Sequence, residues 1–196
     1  EAAAANYPEI RHVKIGRSTN GYPQDDVSAQ WEVCSPETVP NFTAVGYYMA
    51  RHLHAELGVP IGLLNSSWGG TRIEPWTPIE GFAQVEALQD IHQRILQTMP
   101  ESDTYRAVLQ KYIEETEVWL SVAKASLNNG EPSPPAPPYP AGLLPITKHT
   151  EPSAIYNAMM APLVGYGMRG AVWYQGESNH TEGMLYHEKK KAKLNF

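Results

Sequence analysis

The sequence predicts an α/β fold in which a parallel sheet is flanked by helices. Residues 10–15 nearly alternate apolar and polar side chains, which is close to the period of a half-buried strand. Residues 42–57 carry apolar side chains at three- and four-residue spacing, and residues 61–64 form a short apolar run. A strand, a helix and a strand in close succession are typical of a parallel sheet with right-handed crossovers.

Composition and charge are those of a single globular domain. The chain has 196 residues, of which 42% are hydrophobic, enough for a sizeable core. Its formal net charge of −6 disfavours nucleic acid and anionic membrane surfaces as partners. We expect no membrane span within this chain, because no apolar run is long enough to cross a bilayer. We expect no signal peptide within it, because no basic region is followed by an apolar region. Cys34 is the single cysteine, which predicts no internal disulfide, and no motif indicates a cofactor.

The helix predicted over residues 42–57 has start and stop signals on either side. Pro40 and Asn41 precede it, and Gly58 follows it. Before this helix, residues 31–34 form a second short strand candidate that ends in a Ser-Pro pair. The first part of the chain therefore supplies three strand candidates and one helix.

The apolar run at residues 61–64 ends in small polar residues and two glycines, Gly69 and Gly70. Ligands of open α/β sheets bind at the carboxyl ends of strands, and glycines there let backbone N–H groups approach closely. We therefore predict that this loop offers N–H donors to an oxyanionic centre. The alternative is a plain turn. Arg72 and Trp76 follow, where a substrate would touch both; the alternative is a surface arginine with an acidic partner and a packing tryptophan.

Residues 80–130 are predicted to form a helical hairpin, inserted between the core strands as a lid or wall. Apolar side chains recur there at helical spacing, and Pro100 divides the segment in two. Residues 131–145 are rich in proline, which predicts a semi-rigid extended connector. A ligand for an SH3-type domain is the alternative, but a connector needs no partner.

A second strand end is predicted near residue 175. Residues 150–164 have the spacing of a helix, and residues 170–174 form another buried-strand candidate. This candidate runs into a polar cluster at residues 175–180. Two such strand ends in a parallel sheet point at the same crevice, so we expect this cluster to face the glycine loop.

Ser178 is a nucleophile candidate because it lies in a Gly-x-Ser sequence. Residues 176–180 lack the second glycine of the G-x-S-x-G motif, so the match is incomplete. A zinc site built from His180, Glu182 and His187 is the metal alternative, but its spacing fits no dense ligand set. We therefore predict no metal site.

Two long motifs resemble a known family. Residues 59–78 are Val-Pro-Ile-Gly-Leu-Leu-Asn-Ser-Ser-Trp-Gly-Gly-Thr-Arg-Ile-Glu-Pro-Trp-Thr-Pro, and residues 170–179 are Gly-Ala-Val-Trp-Tyr-Gln-Gly-Glu-Ser-Asn. Both are similar to the sialate O-acetylesterase family of the SGNH-hydrolase superfamily. Residues 152–162 resemble the helix that precedes the second motif in that family. The resemblance covers most of the chain between residues 31 and 179 and implies an SGNH or flavodoxin-like three-layer fold.

The resemblance implies a function and a set of site residues. The family removes O-acetyl groups from sialic acids or related sugars, with a serine nucleophile and a histidine that an aspartate orients. An acetylated sugar is therefore the implied substrate, and preorganised donors must hold the charge that develops on the ester oxygen. The matching positions are Gly69 or Gly70 as an N–H donor, Gln175 or Asn179 as the side-chain donor, and Arg72, Trp76 and Glu177 as substrate-binding residues.

The sequence also departs from the family pattern. The family's nucleophile lies in a Gly-Gln-Ser-Asn motif and its base in an Asp-x-x-His motif, and neither motif is present in this sequence. Ser178 matches a family position that is not the nucleophile. The lysine-rich residues 189–196 depart from the helix that the resemblance leads us to expect. We therefore expect a central part of such an esterase, incomplete at both ends and with little or no activity alone.

Two other functions stay open. One is a non-catalytic carbohydrate-binding or structural module that kept the crevice. The other is an independent serine esterase that uses Ser178 with His180 or His187, although a Ser–His pair within one loop rarely reaches in-line geometry. Members of the family are often secreted, periplasmic or lysosomal, but neither the compartment nor the oligomeric state follows from this sequence.

Overall fold

The computed structural model describes residues 1–194, which include a three-stranded sheet. β1 spans Tyr7–Lys14, β2 spans Trp31–Cys34 and β3 spans Ile61–Asn65. The strand order is β2-β1-β3, and β1 runs parallel to β3 but antiparallel to β2. The α/β class is confirmed, but the described sheet is mixed rather than parallel. The connection from β1 to β2 contains no helix, and parallel neighbours usually need a helical crossover.

Helix α1, Ala44–Leu57, carries the chain from β2 to β3, as the apolar spacing predicts. The Thr43 side chain caps its first turn by accepting a hydrogen bond from the Gly46 N–H. Gly58 ends the helix. The core between this helix and the sheet contains Ile10, Phe42, Tyr47, Ala50 and Leu63.

Three further helices follow β3. They are α2 at Ile79–Ala83, α3 at Gln89–Leu96 and α4 at Asp103–Asn129. Pro100 lies in the break between α3 and α4, where the sequence predicts an interruption. The helices α2 and α3 bury their apolar side chains in one cluster, whereas α4 is largely exposed.

The proline-rich residues 131–140 have no regular structure and run back along α4. The Trp119 Nε1 donates to the Pro134 carbonyl oxygen at 2.9 Å. The Tyr139 ring meets the Tyr112 ring edge-on, with 5.3 Å between centroids. These contacts hold the segment on a helix of the same chain.

Residues 150–164 are less regular than the predicted helix. They contain a π-helix at Tyr156–Met160 and a 3₁₀ turn at Ala161–Leu163. Pro162 lacks the N–H that an α-helix would use at this point, which favours the change of geometry. The segment still contributes to a second core cluster, which contains Val13, Ile15, Trp76, Ile155, Ala158 and Met159.

The strand predicted at residues 170–174 is not formed. Val172 and Tyr174 are 65% and 91% exposed, and the segment pairs with no strand among residues 1–194. A strand needs a neighbour to complete its hydrogen-bond ladder, and a local apolar pattern does not supply one. Trp173 does turn inward, and its ring meets the Trp76 ring edge-on at 5.8 Å between centroids.

The last described element is helix α5, Met184–Leu194. The lysine-rich stretch is therefore helical through Leu194, contrary to the departure that we expected, because Lys189 and Ala192 share one buried face. Residues 195 and 196 lie outside the described part of the chain. Ala192 packs in the cluster formed by α2 and α3. None of the helices within residues 1–194 is both long and apolar enough to span a bilayer.

Candidate functional site

The loop after β3 presents two backbone N–H groups at the carboxyl end of the strand. Gly69 and Gly70 form its tip, and both are exposed. A Cβ atom at either position would meet nothing within 4 Å, and Gly70 has a φ of 77°, which favours glycine. Neither N–H has a hydrogen-bond partner in the described residues. Both N–H groups are therefore available to a ligand.

Thr71 fixes the base of this loop. Its Oγ1 donates to the Trp68 carbonyl oxygen at 2.7 Å and accepts from the Trp76 Nε1 at 2.8 Å. Trp76 is only 3% exposed and packs in the core. Trp76 therefore has the position of a packing tryptophan, and its contact with a substrate stays a prediction.

Asn179 joins this loop to residues 175–182 and is only 1% exposed. Its Oδ1 accepts from the Ile73 N–H at 2.9 Å and from the Gln175 Nε2 at 3.1 Å. Its Nδ2 donates to Glu74 at 3.1 Å and to Glu182 at 2.9 Å. Because both amide hydrogens are used, Asn179 has no free donor for an oxyanion in this arrangement.

Four charged side chains surround this amide, and with it they form what we call the Asn179 cluster: Arg72, Glu74, Asn179, Glu182 and Lys189. The Lys189 Nζ donates to Glu74 at 2.6 Å and to Glu182 at 2.7 Å. Arg72 pairs with Glu182 and, at 3.3 Å, with Glu74. The side chains of Lys189, Glu74 and Glu182 are 5%, 11% and 12% exposed, whereas that of Arg72 is 47% exposed.

Glu74 is held in its charged form despite its burial. Burial raises the pKa of its carboxyl, but hydrogen bonds from Lys189 and Asn179 and the charge of Lys189 outweigh this, so its pKa is lowered. The cluster contains two cationic and two acidic side chains, whose formal charges cancel. Such a network is stable when buried only while all its members are present.

Gln175 holds the same loop from the other side. Its Nε2 donates to the Thr71 carbonyl oxygen at 3.2 Å as well as to Asn179, and its Oε1 accepts from the Tyr186 hydroxyl at 3.1 Å. The expected meeting of the two motifs is therefore observed, although residues 170–174 are not a strand. The choice between Gln175 and Asn179 as an oxyanion donor stays a prediction, because both amides bind protein groups here.

Arg72 and Glu177 are the predicted substrate-binding residues that solvent reaches. Arg72 is half-exposed at the edge of the Asn179 cluster, and Glu177 is exposed. Arg72 also has the acidic partner Glu74. Their contacts with a substrate stay predictions.

Ser178 has no histidine partner within residues 1–194. The His180 ring instead contacts the carbonyl oxygen of Glu177 at 2.7 Å, and His187 is exposed on α5. The described His, Cys, Asp and Glu side chains form no group of three that would hold a metal ion.

Comparison with known proteins shows relatives that are sialate O-acetylesterases and a carbohydrate acetylesterase of known structure. The mouse (Mus musculus) sialate O-acetylesterase is 33% identical over 142 residues, which are 71% of this chain and 22% of the mouse protein. The human (Homo sapiens) sialate O-acetylesterase is 28% identical over 158 residues, 78% of this chain and 21% of that protein. The crystal structure of a carbohydrate acetylesterase from Xanthomonas citri superposes with a TM-score of 0.64 at 25% identity, over 99% of this chain and 31% of that one. The chain is similar to the sialate O-acetylesterase family along most of its length.

The chain spans only about a quarter of the length of these sialate O-acetylesterase relatives. The aligned residues cover 21% to 26% of the length of the mouse, orangutan (Pongo abelii) and human proteins. The orangutan alignment is the longest of the three, with 26% identity over 183 residues. No family model matches the chain.

Sequence reasoning missed three members of the site in this sialate O-acetylesterase relative. The sequence pattern indicates Glu182 only as a zinc-ligand candidate and gives no site role to Lys189 or Tyr186. Lys189 lies in a run of three lysines, which usually indicates a solvated helix face. The sequence signal that could have indicated the burial of Lys189 is its position three residues before Ala192, because residues at this spacing lie on the same side of a helix.

Proposed function

We propose that this chain supplies the oxyanion-binding part of a carbohydrate O-acetylesterase that hydrolyses acetyl esters on sialic acid or related sugars. The family relation supports the reaction class. The observation that carries the proposal is that the N–H groups of Gly69 and Gly70, after β3, have no hydrogen-bond partner among residues 1–194, at positions where an added Cβ would meet nothing within 4 Å. Ester hydrolysis through a serine builds negative charge on the carbonyl oxygen, and fixed N–H donors stabilise it.

The two side-chain amides hold the loop that carries these donors. Asn179 binds the N–H of Ile73, and Gln175 binds the carbonyl oxygen of Thr71, so both fix the backbone immediately after the glycines. Preorganised donors stabilise charge because they need not reorient during the reaction. We infer that Gln175 and Asn179 act as positioning residues. Direct donation by Gln175 would cost its bond to Thr71 or to Asn179. Direct donation by Asn179 would cost its bond to Glu74 or to Glu182.

Arg72 and Glu177 are proposed to contact the sugar at the mouth of this site. Both are accessible, and their charged groups suit the hydroxyl and amide groups of a sugar. Trp76 acts indirectly in this proposal, through its hydrogen bond to Thr71. No cofactor is required by ester hydrolysis of this type.

The domain organisation is part of the same proposal. Residues 1–196 belong to one SGNH-type esterase domain, in which residues 80–130 are a helical insertion and residues 131–145 a connector. Helix α4 is largely exposed, so it contacts the rest of the fold over a small surface. This supports the interpretation of α4 as part of an inserted element.

The proposal is tested by titrating the ¹⁵N-labelled chain with 9-O-acetyl-N-acetylneuraminic acid and, in a separate experiment, with N-acetylneuraminic acid, which lacks the 9-O-acetyl group. We expect the sugar with the 9-O-acetyl group to shift the amide resonances of Gly69 and Gly70, and the sugar without this group to leave them unchanged. The amides of Gly58 and Gly130, which lie at helix ends, are internal controls. Equal shifts with both sugars, or none with either, would contradict the proposal.

A second function, a catalytically inactive carbohydrate-binding or structural module, is favoured by one observation. Ser178 has no histidine partner in the described residues. We expect the isolated chain to hydrolyse 4-nitrophenyl acetate no faster than its Ser178→Ala variant and to take no label from a fluorophosphonate probe. Robust hydrolysis that Ser178→Ala abolishes would show instead an independent serine esterase.

A further inference from the structure

The loop of residues 66–73, which carries the two glycines, is held at both ends by one segment of the chain. The loop begins after β3, and it leads into a 3₁₀ turn at Glu74–Trp76. Residues 153–159 contact the chain on both sides of the loop, and we call them the brace segment. They include most of the π-helix at Tyr156–Met160, a geometry that is frequent at functional sites. The contacts of the brace segment therefore set the distance that the loop must span.

Ser153 fixes the chain after the glycines. Its Oγ donates to the Thr77 carbonyl oxygen at 2.9 Å, and its N–H donates to the Glu74 carbonyl oxygen at 3.0 Å. Ser153 is only 1% exposed, so water does not compete for these two bonds. The Thr77 hydroxyl in turn donates to the Ile73 carbonyl oxygen at 3.0 Å. Ser153 therefore ties the turn that carries Glu74 and Trp76 to the brace segment.

The backbone of Ser153 is strained. Its φ is 62°, and among residues 1–194 it is the only residue other than glycine with a positive φ. The left-handed region disfavours residues with a Cβ, and they persist there where the surrounding structure over-determines them. Glycine would adopt this conformation without strain, but it has no hydroxyl. The bond to the Thr77 carbonyl oxygen is therefore what serine supplies here and glycine does not.

Ser66 fixes the chain before the glycines. It is half-buried in the first position after β3, and its Oγ donates to the Met159 carbonyl oxygen at 3.2 Å. Met159 is fully buried, in the core cluster that also contains Ile155 and Trp76. Because the acceptor belongs to a packed residue, the hydrogen bond holds the start of the loop against the brace segment.

The brace segment is itself anchored to the part of the chain that follows β1. The Asn157 carbonyl oxygen accepts from the Gln24 N–H at 2.8 Å, and the Asn157 Nδ2 donates to the Asn20 carbonyl oxygen at 3.1 Å. The Ala154 carbonyl oxygen accepts from the Asn20 N–H at 3.0 Å. Any shift of the brace segment would break these hydrogen bonds, so it is a fixed frame for the loop.

We propose that Ser66 and Ser153 are positioning residues that hold the N–H groups of Gly69 and Gly70 in place from the two ends of the loop. They act through the backbone, outside residues 71–73, which the two side-chain amides hold. N–H donors that need not reorient stabilise developing charge best. The inference rests on the proposed function for what these donors bind, whereas the bracing of the loop is tested without a ligand.

The first experiment measures the mobility of the loop in the full chain without a ligand, through the ¹⁵N order parameters of the Gly69 and Gly70 amides. We expect these to fall in Ser66→Ala and in Ser153→Ala. They should stay at the wild-type level in Ser66→Thr, which keeps a hydroxyl. Ser121→Ala is the control, because Ser121 is exposed and its hydroxyl bonds within α4. Unchanged order parameters in either of the first two variants overturn the role given to that serine.

The second experiment measures the affinity for 9-O-acetyl-N-acetylneuraminic acid by NMR titration. We expect the affinity to fall about threefold in Ser66→Ala and in Ser153→Ala, which is within the range for the loss of one hydrogen bond. Ser66→Thr and Ser121→Ala should bind like the wild type. Wild-type affinity in both Ser66→Ala and Ser153→Ala overturns the proposal.

A glycine at position 153 separates positioning from stability. Ser153→Gly removes the hydroxyl, as alanine does, but it relieves the strain at a φ of 62°. We therefore expect Ser153→Gly to unfold at a higher urea concentration than Ser153→Ala, although both variants lose the same affinity for the acetylated sugar. If affinity followed stability instead, Ser153 would have a structural role alone and its positioning role would be overturned.

The two proposals fail in different ways. If the wild type binds the acetylated sugar through Gly69 and Gly70, but the alanine variants keep a rigid loop and full affinity, the positioning role is wrong and the ester site stands. If the alanine variants loosen the loop but the wild type does not bind the sugar, Ser66 and Ser153 still fix the loop and the proposed oxyanion role fails.

Discussion

At the scale of single residues, Lys189 determines whether two buried carboxylates can stay charged next to Asn179. It is the most buried of the charged groups in the Asn179 cluster and contacts both Glu74 and Glu182. Arg72 approaches the same carboxylates from the solvent side and is half-exposed. Because solvent screens the charge of Arg72, Lys189 contributes more than Arg72 to neutralising the two buried carboxylates.

Replacing Lys189 by methionine tests this balance. We expect Lys189→Met to lower the free energy of unfolding by about 3 to 5 kcal/mol at pH 7, because it leaves buried carboxylates without their cation. Urea unfolding measures the loss. Lys190→Met is the control, since Lys190 is exposed on the same helix. A loss no larger than that of the control would show that the cluster does not need Lys189.

The same variant has a predicted pH dependence. In the wild type the pKa of Glu74 lies below its usual 4.5, so this stabilisation is complete above pH 4.5 and is lost as the pH falls through the folded pKa. In Lys189→Met the charged form of Glu74 loses its main partner, so its pKa rises. The stability difference between the two proteins should therefore shrink between pH 7 and pH 4. A constant difference over this range would contradict the role given to Glu74.

At the scale of secondary-structure elements, the contact of α5 with α2 positions the Asn179 cluster. Ala192 of α5 lies against Gly81 of α2, in the cluster that also contains Phe82 and Leu88. Lys189 is three residues before Ala192, so the same helix face reaches from this contact to Glu74. The approach of the two helices therefore sets the depth at which the lysine enters the cluster.

A side chain at Gly81 should push these helices apart. A Cβ atom there would lie 2.2 Å from the Ala192 carbonyl oxygen, a distance that requires backbone movement. We expect Gly81→Ala to destabilise the chain by about 2 kcal/mol, although alanine is normally favoured over glycine within a helix. Differential scanning calorimetry measures the effect.

Gly16→Ala provides the comparison for Gly81, because a Cβ at Gly16 meets nothing within 4 Å. We expect that variant to unfold close to the wild-type temperature. If Gly81→Ala raised the melting temperature instead, α5 would not be held against α2 in the way described here.

At the scale of the whole molecule, the predictable parts of the fold are those with local signals. The apolar spacing of α1 with its stop at Gly58, the alternation in β1 and the apolar run of β3 predicted those elements, because helix and strand periods can be read from neighbouring residues. The convergence of the loop after β3 with residues 175–179 was also predicted, and Gln175 and Asn179 do bind residues 71–74.

The parts that could not be predicted depend on partners distant in sequence. Residues 170–174 have the composition of a strand, but a strand forms only beside another with free hydrogen-bonding groups. Likewise, nothing near Lys189 in the sequence indicates that the buried Glu74, 115 residues earlier, is its partner. Pair contacts of this kind follow from packing, which local propensity does not encode.

The central claim is that the backbone N–H groups of the Gly69–Gly70 loop bind the ester oxygen, and the most direct measurement compares two substitutions at Gly69. Gly69→Pro removes the N–H, whereas Gly69→Ala keeps it and adds a Cβ into open space. We predict that affinity for 9-O-acetyl-N-acetylneuraminic acid, measured by NMR titration, falls about tenfold in Gly69→Pro, equivalent to about 1.4 kcal/mol, and stays at the wild-type level in Gly69→Ala. Wild-type affinity in Gly69→Pro, with the fold retained, would contradict the claim.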